Sequence, residues 1–142
     1  MLTINYTAVI VASVANFFFG FLWYTPLFGA AWAKELGISR EGKIPTGPFI
    51  RSLIMSFVGQ FLMVYVFAHN NAAWSFVPGM DEMSPTGIIL SSVIFTWLGF
   101  YVPVDLNRVS FENRSWKFFA INTFYHLGTL LIAAVILYVM GS

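Results

Sequence analysis

The chain has no cysteine and very little charge. The absence of cysteine excludes disulfides, thiolate metal sites and cysteine nucleophiles. Only 9% of its 142 residues are charged and 58% are hydrophobic, whereas soluble domains carry about 25% charged residues. The net charge of +1, without a dense basic patch, argues against a nucleic-acid partner. A domain of this composition would precipitate from water, so its solvent must be lipid.

Two other features are missing, and their absence narrows the class of membrane protein. Alternating segments of about ten residues, the mark of transmembrane β-strands, do not occur. The first apolar stretch lacks a basic leader and outruns a signal-peptide core, so we interpret it as a retained helix, with a cleaved signal as the alternative. Four stretches reach the ~20 residues that a membrane span needs. We predict a single all-α domain, 1–142, with four transmembrane helices at about 5–25, 49–68, 86–105 and 117–140.

The basic residues predict the orientation of the four helices. The loop from His69 to Pro85 carries Asp81 and Glu82 but no basic residue, and neither terminus has a basic side chain. All seven basic residues lie in or beside the other two connections: Lys34, Arg40, Lys43, Arg51, Arg108, Arg114 and Lys117. By the positive-inside rule these connections are cytoplasmic, and both termini lie on the outer side.

The connection after the first span has a helical pattern of its own. Apolar residues recur there at helical spacing, and Gly37 can end the helix. We predict a short helix lying in the membrane interface after the first span. Pro26 ends that span, and Trp23, Tyr24 and Trp32 form an aromatic motif at the interface, where aromatic belts occur.

The two halves of the chain show a weak internal similarity. Trp23-Tyr24-Thr25-Pro26 and Phe100-Tyr101-Val102-Pro103 both read aromatic-Tyr-x-Pro at the cytoplasmic end of a span. Gln60 and His126 also correspond when the second and fourth spans are aligned. The similarity favours a parallel repeat of two hairpins. The need for a proline where a span ends would by itself produce half of it.

Each predicted span places a polar group near the middle of the membrane. The candidate binding residues of this layer are Asn16, Gln60, Thr96, Asn122 and His126. Each span also has a stripe of small or polar residues, such as Ala8, Ala12, Asn16 and Gly20 in the first. One interpretation is helix packing alone, with hydrogen bonds across the interfaces. The other is a polar cavity for a ligand, a lipid headgroup or a proton, with His126 as the titrating member.

The sequence gives little support for a metal site, a cofactor or an acid–base pair. His69 is predicted to lie in the outer loop, away from His126, so we predict no metal site and no cofactor. Asp105, Arg108, Glu112 and Arg114 form a mixed cluster, in which Asp105 and Arg108 could share a helix face. We interpret this cluster as a salt-bridge network at the membrane boundary; an acid–base pair of Asp105 and Glu112 is the alternative.

The motifs of this chain resemble those of a known family. The residues that carry the resemblance are Gly20-x-Leu22-Trp23-Tyr24-x-Pro26-Leu27-Phe28-Gly29-x-x-Trp32, then Phe111-Glu112-x-Arg114-Ser115-Trp116-Lys117 and Ile121-Asn122-x-x-Tyr125-His126-Leu127. They are similar to a family of small bacterial four-helix membrane proteins, catalogued as a domain of unknown function. The resemblance implies a multi-pass protein of the bacterial inner membrane. It implies no activity, substrate or cofactor, and it draws attention to Trp23, Tyr24, Trp32, Asn122, Tyr125 and His126.

We therefore expect a membrane protein that is not an enzyme. Its polar layer would bind or pass a small solute, ion or lipid. The alternative is a structural or regulatory membrane subunit without transport activity, and a lipid-acting enzyme using His126 or Asp105 ranks third. Expected partners are membrane lipid, further copies of the same chain and an unidentified small molecule.

Overall fold

A computed structural model describes residues 2–39, 42 and 45–141 of the chain. It is 83% helix, and the described ranges contain no strand, which confirms the all-α prediction. The α-helices are α1 (Tyr6–Leu22), α2 (Gly29–Leu36), α3 (Thr46–Trp74), α4 (Pro85–Thr96), α5 (Val102–Phe111) and α6 (Trp116–Val139). A single 3₁₀ turn, Met80–Glu82, lies in the connection between α3 and α4.

In the described part of the chain, four helical segments are long and apolar enough to cross a membrane. They are Tyr6–Leu27, Thr46–Trp74, Pro85–Phe111 and Trp116–Val139, called the first to fourth spans below. The second span runs six residues past its predicted end, so His69 is helical and does not lie in a loop. The prediction was wrong here because polar residues alone do not end a helix, and the first helix breaker, Pro78, comes only after Trp74.

Short polar side chains begin three of the helices. Asn5, Ser84 and Ser115 each accept a hydrogen bond from the backbone N–H three residues further on. Such caps satisfy donors that have no partner inside the helix. The predicted short helix after the first span is α2, and Gly37 ends it with a φ of 68°, a conformation that suits glycine.

The first and third spans each contain one π-helical turn. These turns are Trp23–Leu27, after α1, and Trp97–Tyr101, between α4 and α5. Each contains or precedes a proline, Pro26 or Pro103, which cannot donate the hydrogen bond that an α-helix needs. The backbone instead bonds across five residues, as from Phe28 N–H to the carbonyl of Trp23 at 2.8 Å. The aromatic-Tyr-x-Pro motifs thus share a wide turn, a geometry that recurs at functional sites.

The four spans pack in the order second, first, fourth, third. The first span packs against the second and the fourth, and the third packs against the fourth. In the apolar stretch of the fourth span 50% of the residues are buried inside the protein, and in that of the first span 28% are buried. In the second and third spans the share is 6% each. A twofold repeat would pair the second and third spans as extensively as the first and fourth, and their contact is much slighter. The packing therefore does not follow the repeat.

The small-residue stripes fit this order only in the inner spans. Four residues of these stripes are fully buried: Ala8, Ala12 and Asn16 of the first span and Ala133 of the fourth. Gly59 of the second span is exposed, as are the serines on the same stripe. A small residue permits close helix approach but does not show which helices approach.

The two ends of the bundle differ in chemistry. We call the end that carries Lys34, Arg51, Arg108, Arg114 and Lys117 the basic end. The opposite end holds the connection 75–84, and there Asn5 Nδ2 donates to the carbonyl of Met140 at 2.8 Å. Between the spans, the half nearer this opposite end is a continuous apolar core: Ala8, Val9, Ala12, Val64, Phe67, Ala68, Val93, Leu130, Ala133, Ala134 and Leu137.

Candidate functional site

We group five polar side chains of the first, second and fourth spans as the polar network, of which contacts join the last four: Asn16, Tyr24, Gln60, Asn122 and Tyr125. The Tyr24 hydroxyl donates to Asn122 Oδ1 at 2.5 Å. Gln60 Nε2 donates to the Tyr125 hydroxyl at 3.0 Å, across the second and fourth spans. The rings of Tyr24 and Tyr125 lie 4.9 Å apart between centroids, which joins the two pairs.

Trp23 and Trp97 hold the fourth span from two sides. Trp23 Nε1 donates to the Ile121 carbonyl at 3.0 Å, and Trp97 Nε1 donates to the Thr123 carbonyl at 2.7 Å. Each tryptophan is the first residue of a π-helical turn. The sequence predicts an aromatic motif at the interface for Trp23 and Tyr24, and in the structure the polar atom of each side chain donates to an acceptor on α6 inside the bundle.

Trp32 of α2 completes the aromatic side of the network. Its ring packs edge-on against Tyr24, with centroids 5.3 Å apart. The aromatic motif and the polar layer, which the sequence placed half a membrane apart, therefore meet through Tyr24 and Asn122.

Asn16 is the least satisfied member of the polar network. Its side chain is 0% exposed, and neither amide atom has a hydrogen-bond partner among the described residues. Phe19 of α1 faces Gly128 of α6, and Gly20 faces Tyr125. Because the two helices run antiparallel, Asn16, one helical turn before Gly20, lies at the level of Thr129. Gln60 Oε1 is also buried without a partner. A buried polar group without a partner costs about 1–3 kcal/mol, so these atoms call for a function.

A second polar group lies between the third and fourth spans. His126 Nε2 is 3.9 Å from Asp105 Oδ2, and Asp105 is only 4% exposed. Tyr101, in the second π-helical turn, stacks on the His126 ring at 4.4 Å between centroids. Asp105 Oδ2 has no hydrogen-bond partner in the described part of the chain. We call Asp105, His126 and Tyr101 the acid–imidazole group. Tyr125 links this group to the polar network, because its ring centroid lies 5.5 Å from that of His126.

Two further charged residues of the basic end, Arg108 and Glu112, pair with each other. Arg108 Nε bonds to Glu112 Oε2 at 3.2 Å, and its guanidinium lies 4.9 Å above the Phe118 ring. The Ser115 hydroxyl bonds to Glu35 of α2. The ion pair of the boundary cluster is thus Arg108 with Glu112, and the structure pairs Asp105 with His126 instead of Arg108.

Thr96 lies apart from the other predicted site residues. It lines a cavity of about 420 Å³ between the second and third spans, together with Asn71 and Ser92. A neighbouring cavity of about 390 Å³ shares Asn71 and Ser92. Both cavities open near the opposite end of the bundle. The structure therefore joins Gln60 to Tyr125 and Asn122 to Tyr24, and it places Asn16 and His126 nearby but not Thr96.

Sequence reasoning missed three of these residues as site members. Tyr101 and Tyr125 were noted only through the repeat and the family resemblance, and Asp105 was assigned to the boundary. Counting residues from the end of a span gives the depth of a polar residue in the membrane. Only the packing of the spans shows which residues at one depth face each other. Within the ranges that the structure describes, no group of three His, Asp or Glu residues could hold a metal ion.

Residues 7–138 match the family described as a protein of unknown function (DUF1761). The chain belongs to this family. The resemblance to a family of unknown function is thereby confirmed. No curated protein and no solved structure matches the chain. The polar network and the acid–imidazole group of this DUF1761 chain both lie inside the matched range.

Proposed function

We propose that this protein is a non-enzymatic protein of the bacterial inner membrane that binds and passes a small ion or solute through its polar network. Asn16 carries the proposal, because its fully buried amide has no hydrogen-bond partner among the residues that the structure describes. A buried amide inside an apolar bundle is stabilised by a hydrogen-bonding guest such as a water, an ion or a small solute.

The distribution of polarity favours entry from the basic end. The polar network occupies the half of the bundle nearer that end, and the apolar core fills the other half. By the positive-inside rule the basic end faces the cytoplasm and both termini face outwards. A guest at Asn16 would therefore have half of the membrane thickness still to cross, and passage requires the first and fourth spans to separate around the apolar core.

The alternative is a structural or regulatory membrane subunit whose polar layer serves only packing. The hydrogen bonds of Tyr24 and Gln60 have that character, since they join neighbouring spans. The exposed apolar faces of the second and third spans would then contact lipid or further copies of the chain, which native mass spectrometry can count. Asn16 favours the first candidate, because a residue that is 0% exposed cannot reach another subunit.

Replacing Asn16 by leucine separates the two candidates. We expect Asn16→Leu to leave the free energy of unfolding unchanged or to raise it by about 1–3 kcal/mol, since an apolar group removes an unpaired amide. The same change should remove the permeability of proteoliposomes to the ion that the wild-type protein passes, tested with H⁺, K⁺ and Cl⁻. Thermal unfolding in detergent and dye-based flux assays provide the two readouts.

Ser13→Ala is the matched control, because Ser13 is equally buried in α1 but donates to the Val9 carbonyl at 2.7 Å. We expect it to leave the flux unchanged. Water-edited solid-state NMR of the Asn16 amide tests access directly, with water as the probe. A dry Asn16 amide, with flux equal to that of empty liposomes, would overturn the proposal in favour of the structural subunit.

A further inference from the structure

The acid–imidazole group contains a carboxylate in an unusual place. Asp105 lies within the third span, six residues before its end at Phe111, and its side chain is 5% exposed. A carboxylate inside a membrane span is costly and marks a function by default. His126 Nε2 faces Asp105 Oδ2 at 3.9 Å, and Oδ2 accepts no hydrogen bond from the described residues.

From this geometry we infer that Asp105 and His126 form a proton-binding site, and that the ion handled by the protein is H⁺. The inference rests on the proposed function and names its ion. Asp105 Oδ2 and His126 Nε2 face each other across 3.9 Å, close enough to share one proton through a small rotation or one bridging water. In such a step the O–H bond of the carboxylic acid breaks as the N–H bond of the imidazolium forms.

The composition of the site favours a proton over a metal cation. Na⁺, K⁺ and divalent ions need several oxygen ligands, whereas a proton needs one acceptor. Asp105 is the buried carboxylate of this group, and among the described residues it belongs to no cluster of three His, Asp or Glu side chains that could hold a metal ion. An acid and an imidazole in contact are the pair that proton relays in membranes use.

The charged and titratable neighbours of the pair come from three elements. On α5, Arg108 is the nearest cation, and its charge is balanced by Glu112 at 3.2 Å. Tyr101 stacks on His126 from the second π-helical turn, and Tyr125 adjoins it on α6. Tyr24 of the first π-helical turn is the next titratable group.

Tyr125 extends the site towards the rest of the bundle. Its ring adjoins His126, and its hydroxyl accepts from Gln60. Gln60 Oε1 and the Asn16 amide follow as buried atoms without partners. A proton bound at Asp105 therefore stands beside a chain of groups that can orient water towards the middle of the membrane.

The test measures proton flux into liposomes that contain a trapped pH-sensitive dye, driven by a K⁺ diffusion potential with valinomycin. We expect wild-type protein to carry protons, and Asp105→Asn and His126→Gln each to abolish the flux. Asp81→Asn is the matched control, since it changes an exposed acid in the connection 75–84, away from the pair, and it should retain the flux. Infrared difference spectra of the purified wild-type protein between neutral and acidic pH should show a carboxylic-acid band.

One component of that band should be missing in Asp105→Asn and shifted in His126→Gln, which keeps the inference testable even if one variant fails to fold. Full proton flux in a folded Asp105→Asn variant would overturn the inference and leave the proposed function standing. Flux of K⁺ or Cl⁻ through the wild-type protein without flux of H⁺ would likewise overturn the inference and leave the proposed function standing. A dry Asn16 with no flux of any ion would overturn both.

Discussion

At the scale of single residues, the polar side chains of this protein divide into satisfied and unsatisfied groups. Tyr24, Asn122 and Trp23 have partners on a neighbouring span, and such bonds stabilise helix packing by about 0.6–2 kcal/mol each. Asn16 and Asp105 carry buried atoms without partners. The first group accounts for assembly of the bundle, and the second group is where function is expected.

Tyr24→Phe tests a satisfied residue. The change removes the hydroxyl that bonds to Asn122 and leaves a buried amide oxygen unpaired, so we expect the free energy of unfolding to fall by about 1–3 kcal/mol. Tyr138→Phe is the control, because that side chain is exposed on the fourth span. Thermal unfolding in detergent gives the measurement, and equal stability of the two variants would contradict the role assigned to the bond.

At the scale of helices, close approach of the first and fourth spans depends on small residues. A Cβ at Gly128 would lie 2.6 Å from Phe19 Cζ, too close for any real contact, whereas a Cβ at Gly20 would meet only the Tyr125 hydroxyl at 3.1 Å. Phe19 in turn stacks on Tyr125 at 5.7 Å between centroids. Gly128 therefore sets the helix separation that positions Tyr125 in the polar network.

Gly128→Ala should lower the free energy of unfolding by about 1–3 kcal/mol, because the added methyl group displaces Phe19. Gly59→Ala in the second span is the matched control, since nothing lies within 4 Å of its Cβ position. It should be neutral or stabilise by up to about 1 kcal/mol through helix propensity. Unfolding curves of both variants in one detergent make the comparison, and equal loss of stability would show that the Phe19 contact is not decisive.

At the scale of the whole molecule, charge asymmetry predicts orientation. The chain has no cysteine, so a single introduced cysteine reports its own position without background. We expect Asp81→Cys, in the connection 75–84, to react with a membrane-impermeant maleimide in intact cells. Glu112→Cys, at the basic end, should react only after lysis. The reverse pattern would invert the orientation and place the Asp105 side of the molecule outwards.

The sequence by itself determined the number of spans, the grouping of basic residues at one end, and the short helix that Gly37 ends. These follow from local properties, namely length, apolar composition, charge and caps, which need no knowledge of neighbours. The sequence also singled out Asn16, Gln60, Asn122 and His126 as polar residues in an apolar setting. The predicted end of the second span, residue 68, came too early, because His69, Asn70 and Asn71 were interpreted as part of a loop.

Only the tertiary structure decided the order of the spans, and with it the partners of those residues. In lipid every helix satisfies its own backbone, and its apolar face gains little by moving from lipid to protein, so hydropathy does not show which helix lies inside. Close packing of α1 on α6 brought Tyr24 to Asn122 and left Asn16 fully buried. Packing of the third span on the fourth brought Asp105, 21 positions before His126 in the chain, to within 3.9 Å of it.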